Sequence, residues 1–236
     1  MKVTLIRYTH APQELVALAG KLCYSPSTLD ELMEGIAEHD QTKYLKKLTD
    51  MGHLSPIEHV SFTFGIEGVS RSLLAQITRH RIASFSVQSQ RYVEMGGEDE
   101  CFEYVIPPTI IELGEEAVEE YCRQMETMNE WYQGWRAKLG GGRASNEDAR
   151  FVLPNAAATR IVMTMNAREL MHFLSLRTCN RAQWEIRAVT DEMLKLAREA
   201  APELFGKAGC ACLQGKPCPE GKLSCGHPRT SRGVEK

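Results

Sequence analysis

The sequence predicts a mixed fold, α/β or α+β, in which helices dominate a single compact domain. Segments with apolar residues three and four positions apart, typical of amphipathic helices, are interleaved with short segments of alternating apolar and polar residues, typical of strands. No internal repeat or long linker interrupts this order. The 236 residues are enough to build one sizeable hydrophobic core.

Strand and helix signals follow one another closely in the first third of the chain. Pro12 suits the first turn of a helix, and Thr28 suits an N-cap. The stretch 60–66 alternates strictly and is the clearest strand signal. The predicted elements are a strand at 2–8, helices at 12–22, 28–39 and 42–51, a strand at 60–66, and a helix from Ser70 to about His80.

The second half of the chain continues the pattern and ends in a different composition. Asn166 followed by Glu169 resembles a capping box, and Ser145 with Asp148 resembles another helix start. The predicted elements are a helix at 115–139, a short helix from Ser145, a strand at 160–165, and helices at 167–177 and 182–200. Residues 207–236 lack periodicity and are rich in Gly, Pro, Lys and Cys, which predicts a mobile tail after a domain at 1–206.

Composition excludes several protein classes. Hydrophobic residues make up 43% and charged residues 25% of the chain, as in globular proteins and unlike disordered or collagen-like chains. No segment approaches the ~20 apolar residues that cross a bilayer, and the first eight residues do not resemble a signal peptide. We therefore expect a cytoplasmic protein without a membrane partner, and we expect its eight cysteines to be free thiols.

Charge is distributed unevenly although the net charge is only −3. The segments 68–93 and 149–168 contain arginines but no acidic residue. Two such segments in a mildly acidic chain predict a localised anion site, and the alternative is a set of scattered, solvated arginines. The net charge and the lack of a basic and aromatic stripe argue against a nucleic-acid-binding module.

The densest group of chemically useful side chains spans residues 79–92. Three arginines and a histidine occur there together with hydroxyl and amide side chains, which suits a phosphate because guanidinium groups offer planar, paired donors. Helical spacing places Gln76 and Arg79 on one face, so both side chains can reach one ligand. The alternative is a helix end whose cations interact with the helix dipole, and it explains a single arginine better than the whole group.

Another region, 166–177, contains an arginine in an unusual position. Leu170, Phe173 and Leu174 form a buried stripe, and Arg177 falls on that stripe, where it needs an anionic or hydrogen-bonding partner. The alternative for Arg177 is a contact with the helix dipole, and the alternative for Asn166 is simple capping. Arg168 and His172 share another face.

Two histidine- or cysteine-bearing segments are poor candidates for metal binding. His53 and Glu58 do not have the spacing of a zinc-protease helix, and Pro56 would break such a helix, so a loop with Ser55 near an anionic ligand fits better. The tail cysteines lack paired Cys-x2-Cys elements. We therefore predict that the protein binds no metal. A metal-stabilised interaction protein built around the tail is the second alternative function, beside the nucleic-acid-binding module.

Taken together, these motifs resemble the flavin-dependent thymidylate synthases over residues 1–205. The family hallmark is Arg-His-Arg, seven residues, then Ser, and it is matched by Arg79-His80-Arg81 and Ser89. Further matches are Gly52-His53 to His59, Arg150, Asn166-Ala167-Arg168, Arg177 and residues 182–185. The combined spacing is far more specific than any single motif.

The resemblance implies a central, largely antiparallel sheet flanked by helices and a homotetramer whose sites are shared between subunits. It also implies reductive methylation of dUMP to dTMP, with methylenetetrahydrofolate as carbon donor, FAD as cofactor and NADPH as reductant. No cysteine then needs to act as a nucleophile.

The same resemblance implies roles for individual residues. It places FAD against Ser55, Arg79, His80, Arg81, Ile82, Val87, Asn166, Ala167, Arg168 and His172. It places dUMP against Gln76, Ile77, Thr78, Arg79, Val87, Gln88, Ser89, Gln90, Arg91, Arg150 and Arg177. Catalytic roles fall to Arg177, which would stabilise negative charge on the base, and to His53, near the flavin ring.

Overall fold

A computed structural model describes residues 1–97 and 100–230 of the chain. It contains one antiparallel sheet of four strands in the order β1-β2-β4-β3, which confirms the mixed fold class. A pair of threonine hydroxyls, Thr63 and Thr164, lies 2.9 Å apart across the central strands and marks their register. The strands are β1 (Lys2–Tyr8), β2 (Ser61–Ser70), β3 (Ser84–Val87) and β4 (Ala158–Asn166).

Helices account for most of the rest of the described chain. Three of them begin at the predicted cap residues, since the side chains of Thr28, Ser70 and Asn166 each accept a backbone N–H three residues later. The helices are α1 (Pro12–Leu22), α2 (Leu29–Ala37), α3 (Thr42–Asp50), α4 (Arg71–Ile77), α5 (Pro108–Glu112), α6 (Glu115–Lys138), α7 (Gly142–Ala149), α8 (Ala167–Arg177), α9 (Trp184–Ala200) and α10 (Pro202–Phe205).

Several local predictions were wrong in detail. Helix α7 begins at Gly142, and Ser145 lies inside it with its hydroxyl donating to the Gly142 carbonyl, so Ser145 is not its cap. Residues 55–59 form a short 3-10 helix where a loop was predicted. Helix α4 ends at Ile77 rather than near His80. Strand β3 and helix α5 carry too few residues for a periodic signal and were not predicted.

The chain divides into two compact units, while the predicted domain at 1–206 stays a prediction. The first comprises 1–2, 66–79 and 86–161, and the second comprises 3–65, 80–85 and the chain from Val162 onward. The first unit has a hydrophobic cluster of its own, which includes Phe102, Met125 and Tyr132. The long segment between β3 and β4 supplies these apolar side chains, and they pack against one another.

The core of the second unit includes the predicted apolar stripe of α8. Leu170, Phe173 and Leu174 of α8 are completely buried, as are Ile186 and Val189 of α9. Burial of each such side chain contributes roughly 1.5–3 kcal/mol. This packing holds α8 and its polar side chains in place.

The segment 207–230 has little regular structure, as expected, but makes specific contacts with other residues of the second unit. The backbone N–H of Cys210 donates to the hydroxyl of Thr178 at 2.8 Å. Arg229 donates to both carboxylate oxygens of Asp191, at 2.8 and 2.9 Å, and to the carbonyl of Thr178 at 2.7 Å. These contacts tie 207–230 to α9 and to the end of α8, and the mobility of the tail stays a prediction. Residues 231–236 lie outside the described residues.

Candidate functional site

Helix α8 presents the densest group of candidate side chains in the second unit. Asn166 begins the helix by accepting the Glu169 N–H at 2.8 Å, and the buried stripe sets its rotation. The rotation leaves Arg168 and His172 exposed on the opposite side, as the sequence predicted. Ala167 is completely buried, so only its backbone could meet a ligand.

A part-buried polar contact joins the end of α8 to the Arg-His-Arg segment. Nε of Arg177 donates a hydrogen bond to Nε2 of His80 at 3.1 Å. The other ring nitrogen of His80, Nδ1, lies 3.5 Å from a carboxylate oxygen of Glu169, and both side chains are at most one-tenth exposed. The ring of Phe173 packs edge-on against His80 at 4.6 Å. The predicted need of Arg177 for a partner is thus met by a histidine.

A cavity of about 650 Å³ opens beside the start of α8, within the second unit. This volume lies in the range of about 300–1,000 Å³ that small-molecule and cofactor sites occupy. Apolar side chains make up part of its wall, and charged and polar side chains make up the rest. The lining residues are Leu54, Glu58, Ile82, Asn166, Arg168, Glu169, Met171 and His172.

The cavity wall combines an apolar surface with one exposed cation. Leu54, Ile82 and Met171 offer flat or flexible apolar contact, which suits an aromatic ring system. Arg168 forms an ion pair with Glu58 across the cavity edge and is half exposed. An ion pair in this setting is weak, so a phosphate can compete for the guanidinium.

The 53–59 segment borders this cavity, but His53 and Ser55 themselves do not line it. Both side chains are exposed, and the His53 N–H donates to the carbonyl of Leu48 at 3.0 Å. Ser55 begins the 3-10 helix whose Glu58 reaches the cavity. Glu58 and Glu169 were not predicted as site residues. The signal that could have indicated Glu169 is its place directly after the acid-free segment 149–168.

A second group of candidate side chains lies in the first unit, around residues 87–91. The Gln88 N–H donates to the carbonyl of Arg160 at 2.9 Å, and the Arg71 guanidinium approaches the Gln88 carbonyl at 3.4 Å. Burial and the charge of Arg150 lower the pKa of Arg71. Two guanidinium groups close enough to repel each other are characteristic of an anion site. Arg71 itself was not predicted as a site residue.

The residues after Gln88 form a tight turn with an unsatisfied amide. The hydroxyl of Ser89 accepts the Arg91 N–H at 3.2 Å, and Arg91 forms an ion pair with Glu147 at 2.9 Å. Gln90 is only 7% exposed, and its Nε2 has no hydrogen-bond partner among the described residues. A buried amide without a partner costs about 1–3 kcal/mol, so Gln90 indicates a ligand at this turn.

The remaining predicted residues do not line the cavity. Gln76 donates to the Ser72 carbonyl at 3.4 Å, and Thr78 donates to the Leu74 carbonyl at 2.8 Å. Ile77 is completely buried and packs in the core. Arg79 and Arg81 are exposed, and Val87 is half-buried at the end of β3.

Among the described residues, no group of three or more histidine, cysteine or acidic side chains could hold a metal ion. The eight cysteines are free thiols, as predicted. No described helix is long and apolar enough to cross a membrane.

Comparison with known proteins gives a consistent result. A family model described as "Thymidylate synthase complementing protein" matches residues 4–203. The chain is 50% identical over 227 residues to the flavin-dependent thymidylate synthase of Geobacter sulfurreducens, covering 96% of this chain and 94% of the relative. It is 47% identical to that of Clostridium tetani, with 96% and 93% covered. It is 40% identical to that of Pyrococcus furiosus, with 94% and 91% covered.

Among solved structures, a similar one is a crystal structure of the flavin-dependent thymidylate synthase ThyX from Helicobacter pylori complexed with FAD and dUMP. The TM-score is 0.61 at 23% identity, covering 89% of this chain and 100% of the other. At this identity the likeness shows a shared fold.

Proposed function

The chain belongs to the flavin-dependent thymidylate synthase family, and from this premise we propose that it methylates dUMP to dTMP with the residues described above. Methylenetetrahydrofolate is the carbon donor and NADPH the reductant of FAD in this proposal. The observation that carries it is the match of whole-length relatives at 40–50% identity together with a cavity lined by Ile82 and by residues of α8.

FAD fits the cavity beside α8. The apolar side chains of Leu54, Ile82 and Met171 offer a surface for the flavin ring, and the exposed Arg168 offers a countercharge for the pyrophosphate. His172 and Asn166 add polar contacts at the cavity wall. Bound FAD supplies the hydride chemistry of the reaction, and the protein binds, orients and excludes water.

The turn at residues 87–91 is the proposed contact of dUMP in the first unit. Arg71 and Arg150 concentrate positive charge there, and a phosphate would relieve their mutual repulsion. The unpartnered amide of Gln90 can donate to a phosphate or uracil oxygen. Ser89 and Arg91 supply a hydroxyl and a guanidinium at the same turn.

Arg177 is the proposed catalytic residue for the base. Methylation at the uracil ring requires negative charge on the base to be stabilised, and a guanidinium remains protonated while donating hydrogen bonds in one plane. The proposal needs no thiol nucleophile, in keeping with the raised pKa of Cys101, which burial and Glu126 keep in its thiol form. His53 is proposed to act close to the flavin ring.

The assembly and location of the protein form part of the same proposal. We infer a homotetramer with sites shared between subunits, as the family resemblance implies, and a cytoplasmic enzyme. Exposed aromatic residues on α6, Trp131 and Trp135, provide apolar surface that subunit contacts could cover.

The direct test is turnover with purified protein. dUMP, methylenetetrahydrofolate and NADPH are supplied with and without added FAD, and dTMP is measured by chromatography. We expect dTMP formation that depends on FAD, and purified protein with the yellow colour and absorption band of a flavin. A flavin-free protein that forms no dTMP after FAD is added would refute the proposal.

A further inference from the structure

The ring of His80 is enclosed by its own chain on three sides. Nε2 accepts the Nε–H of Arg177 at 3.1 Å, Nδ1 lies 3.5 Å from Glu169, and the ring of Phe173 packs edge-on at 4.6 Å. The residue is only 7% exposed. His80 therefore offers a ligand little surface, although it is the central residue of the Arg-His-Arg segment.

The hydrogen bond from Arg177 determines which ring nitrogen of His80 carries a proton. A guanidinium can only donate, so Nε2 has to keep its lone pair. The neutral ring then carries its proton on Nδ1, which faces the carboxylate of Glu169. A carboxylate beside the second nitrogen is the usual means by which proteins select one histidine tautomer.

We propose that His80, oriented by Glu169, is a positioning residue that holds the guanidinium plane of Arg177 for the uracil base. The Arg177 side chain has four rotatable bonds. Because its Nε–H donates to an acceptor that is fixed in place, the directions in which its terminal amino groups can point are restricted. Pre-orientation of this kind lowers the entropy lost when a ligand binds. This inference rests on the proposed function, which supplies dUMP as the ligand of Arg177.

Glu169 has a place in this arrangement that the sequence did not indicate. Its backbone N–H donates to the side-chain oxygen of the cap residue Asn166. Its side chain points toward His80 rather than back to Asn166. One residue thereby connects the first turn of α8 with the arginine at its last turn. His172 lies further from His80, with ring centroids 6.4 Å apart, and is not part of this chain of contacts.

The first test compares two substitutions of His80 in the full-length protein loaded with FAD. In His80→Gln an amide oxygen can accept from Arg177 and the amide N–H can face Glu169, whereas His80→Leu has neither group. We expect the dUMP dissociation constant, measured by calorimetry, to rise at least about fivefold in His80→Leu and by less than about threefold in His80→Gln. His39→Leu, an exposed histidine of the same chain, is the matched control and should leave the constant unchanged.

A double-mutant cycle separates positioning from a general structural effect. Because His80 acts through Arg177, His80→Leu should weaken dUMP binding no further in an Arg177→Ala background. If the losses of dUMP affinity in the two single variants multiply in the double variant, the proposal is overturned. Wild-type dUMP affinity in a folded His80→Leu protein would overturn it as well. If wild-type protein binds no dUMP, the proposed function itself fails and the positioning role fails with it.

A spectroscopic measurement keeps the proposal open to refutation if His80→Leu does not fold. Nitrogen NMR of protein labelled at its histidine side chains reports which ring nitrogen carries the proton, and the signal of His80 is identified by its loss in His80→Gln. We expect a neutral ring protonated at Nδ1 in wild-type protein at pH 7.5. A proton on Nε2 would contradict the hydrogen bond from Arg177 and overturn the inference.

Discussion

Arg177, the last residue of α8, donates its Nε–H to Nε2 of His80, a residue 97 positions earlier in the chain. The guanidinium is therefore held from one side at a position where the helix packs its apolar stripe. If Arg177 only interacted with the helix dipole, its side chain would lie in solvent. The hydrogen bond to His80 shows that the helix dipole alone does not explain the position of this side chain.

The first prediction concerns Arg177 itself. Arg177→Ala should keep FAD but lose dUMP affinity and turnover together, by roughly tenfold or more, because a charged hydrogen bond contributes about 1.5–3 kcal/mol. Arg177→Lys should restore only part of this, since lysine keeps the charge but lacks the planar fork. Steady-state rates and a melting curve on one preparation decide the question, and near-normal turnover with a lowered melting point would refute the catalytic role.

The second prediction concerns the ion pair at the cavity edge. Arg168→Ala should weaken FAD binding roughly tenfold, because the pyrophosphate loses a guanidinium partner. Glu58→Gln removes the competing carboxylate and should leave FAD binding unchanged or stronger. Flavin fluorescence titration measures both. Arg123→Ala, which removes another exposed arginine from an ion pair on α6, is the control, and an equal loss of FAD affinity there would contradict the assignment.

The third prediction separates the two ligands at the 87–91 turn. Arg91→Ala should weaken dUMP roughly tenfold or more while FAD affinity stays within about twofold, since the turn belongs to the proposed dUMP contact. Arg160→Ala is the matched control, because Arg160 is also exposed and paired with acids in the same unit. Calorimetry with each ligand measures the effect. Equal losses of dUMP and FAD would indicate local unfolding instead.

The fourth prediction concerns the cysteines. Serine at Cys23, Cys101, Cys122 or Cys179 should leave measurable turnover, because the flavin route requires no thiolate. Burial and the nearby Glu126 raise the pKa of Cys101, so this thiol is poorly suited to nucleophilic attack. Each variant is assayed for dTMP after its melting curve is checked. One folded variant that binds FAD and dUMP normally yet forms no product would overturn the mechanism.

The fifth prediction concerns the C-terminal segment. Burial lowers the pKa of Arg229, but its hydrogen bonds and ion pair with Asp191 outweigh this and raise it overall. Arg229→Ala leaves the mostly buried Asp191 carboxylate without its partner, so we expect the melting temperature to fall by several degrees.

Lys207→Ala serves as the control for Arg229→Ala. Lys207 forms an exposed ion pair with Asp50, and exposed pairs contribute at most about 1 kcal/mol. Its melting temperature should stay close to that of the wild type. Equal melting temperatures for the two variants would show that the segment is held loosely, as the composition of 207–236 first suggested.

Local structure was largely predictable because it depends on neighbours in the sequence. Thr28, Ser70 and Asn166 cap their helices as their residue types and spacing indicated. Ser145 shows the limit of such reasoning. Its spacing to Asp148 matched a capping pattern, but glycines at positive φ start that helix three residues earlier, and no cap motif marks them.

The two compact units lay beyond sequence reasoning for a different reason. Each unit is assembled from separate stretches of the chain, and the division falls inside strands and inside the segment 79–92. Periodicity reports which residues are buried but not which other residues bury them. The sequence therefore predicted the long helix at 115–139 but not the hydrophobic cluster in which its Tyr132 packs.

The sequence by itself determined the chemical groups of the candidate site and their local placement: the acid-free arginine segments, the cap at Asn166, and the apolar stripe that carries Arg177. Only the tertiary structure decided that the partner of Arg177 is His80, that Glu169 turns toward the same ring, and that Gln90 is buried with an unpartnered amide. Helical spacing shows that a buried guanidinium needs a partner, because an unpaired charge is costly to bury. Which residue meets that need depends on contacts between distant parts of the chain, and these exist only after folding.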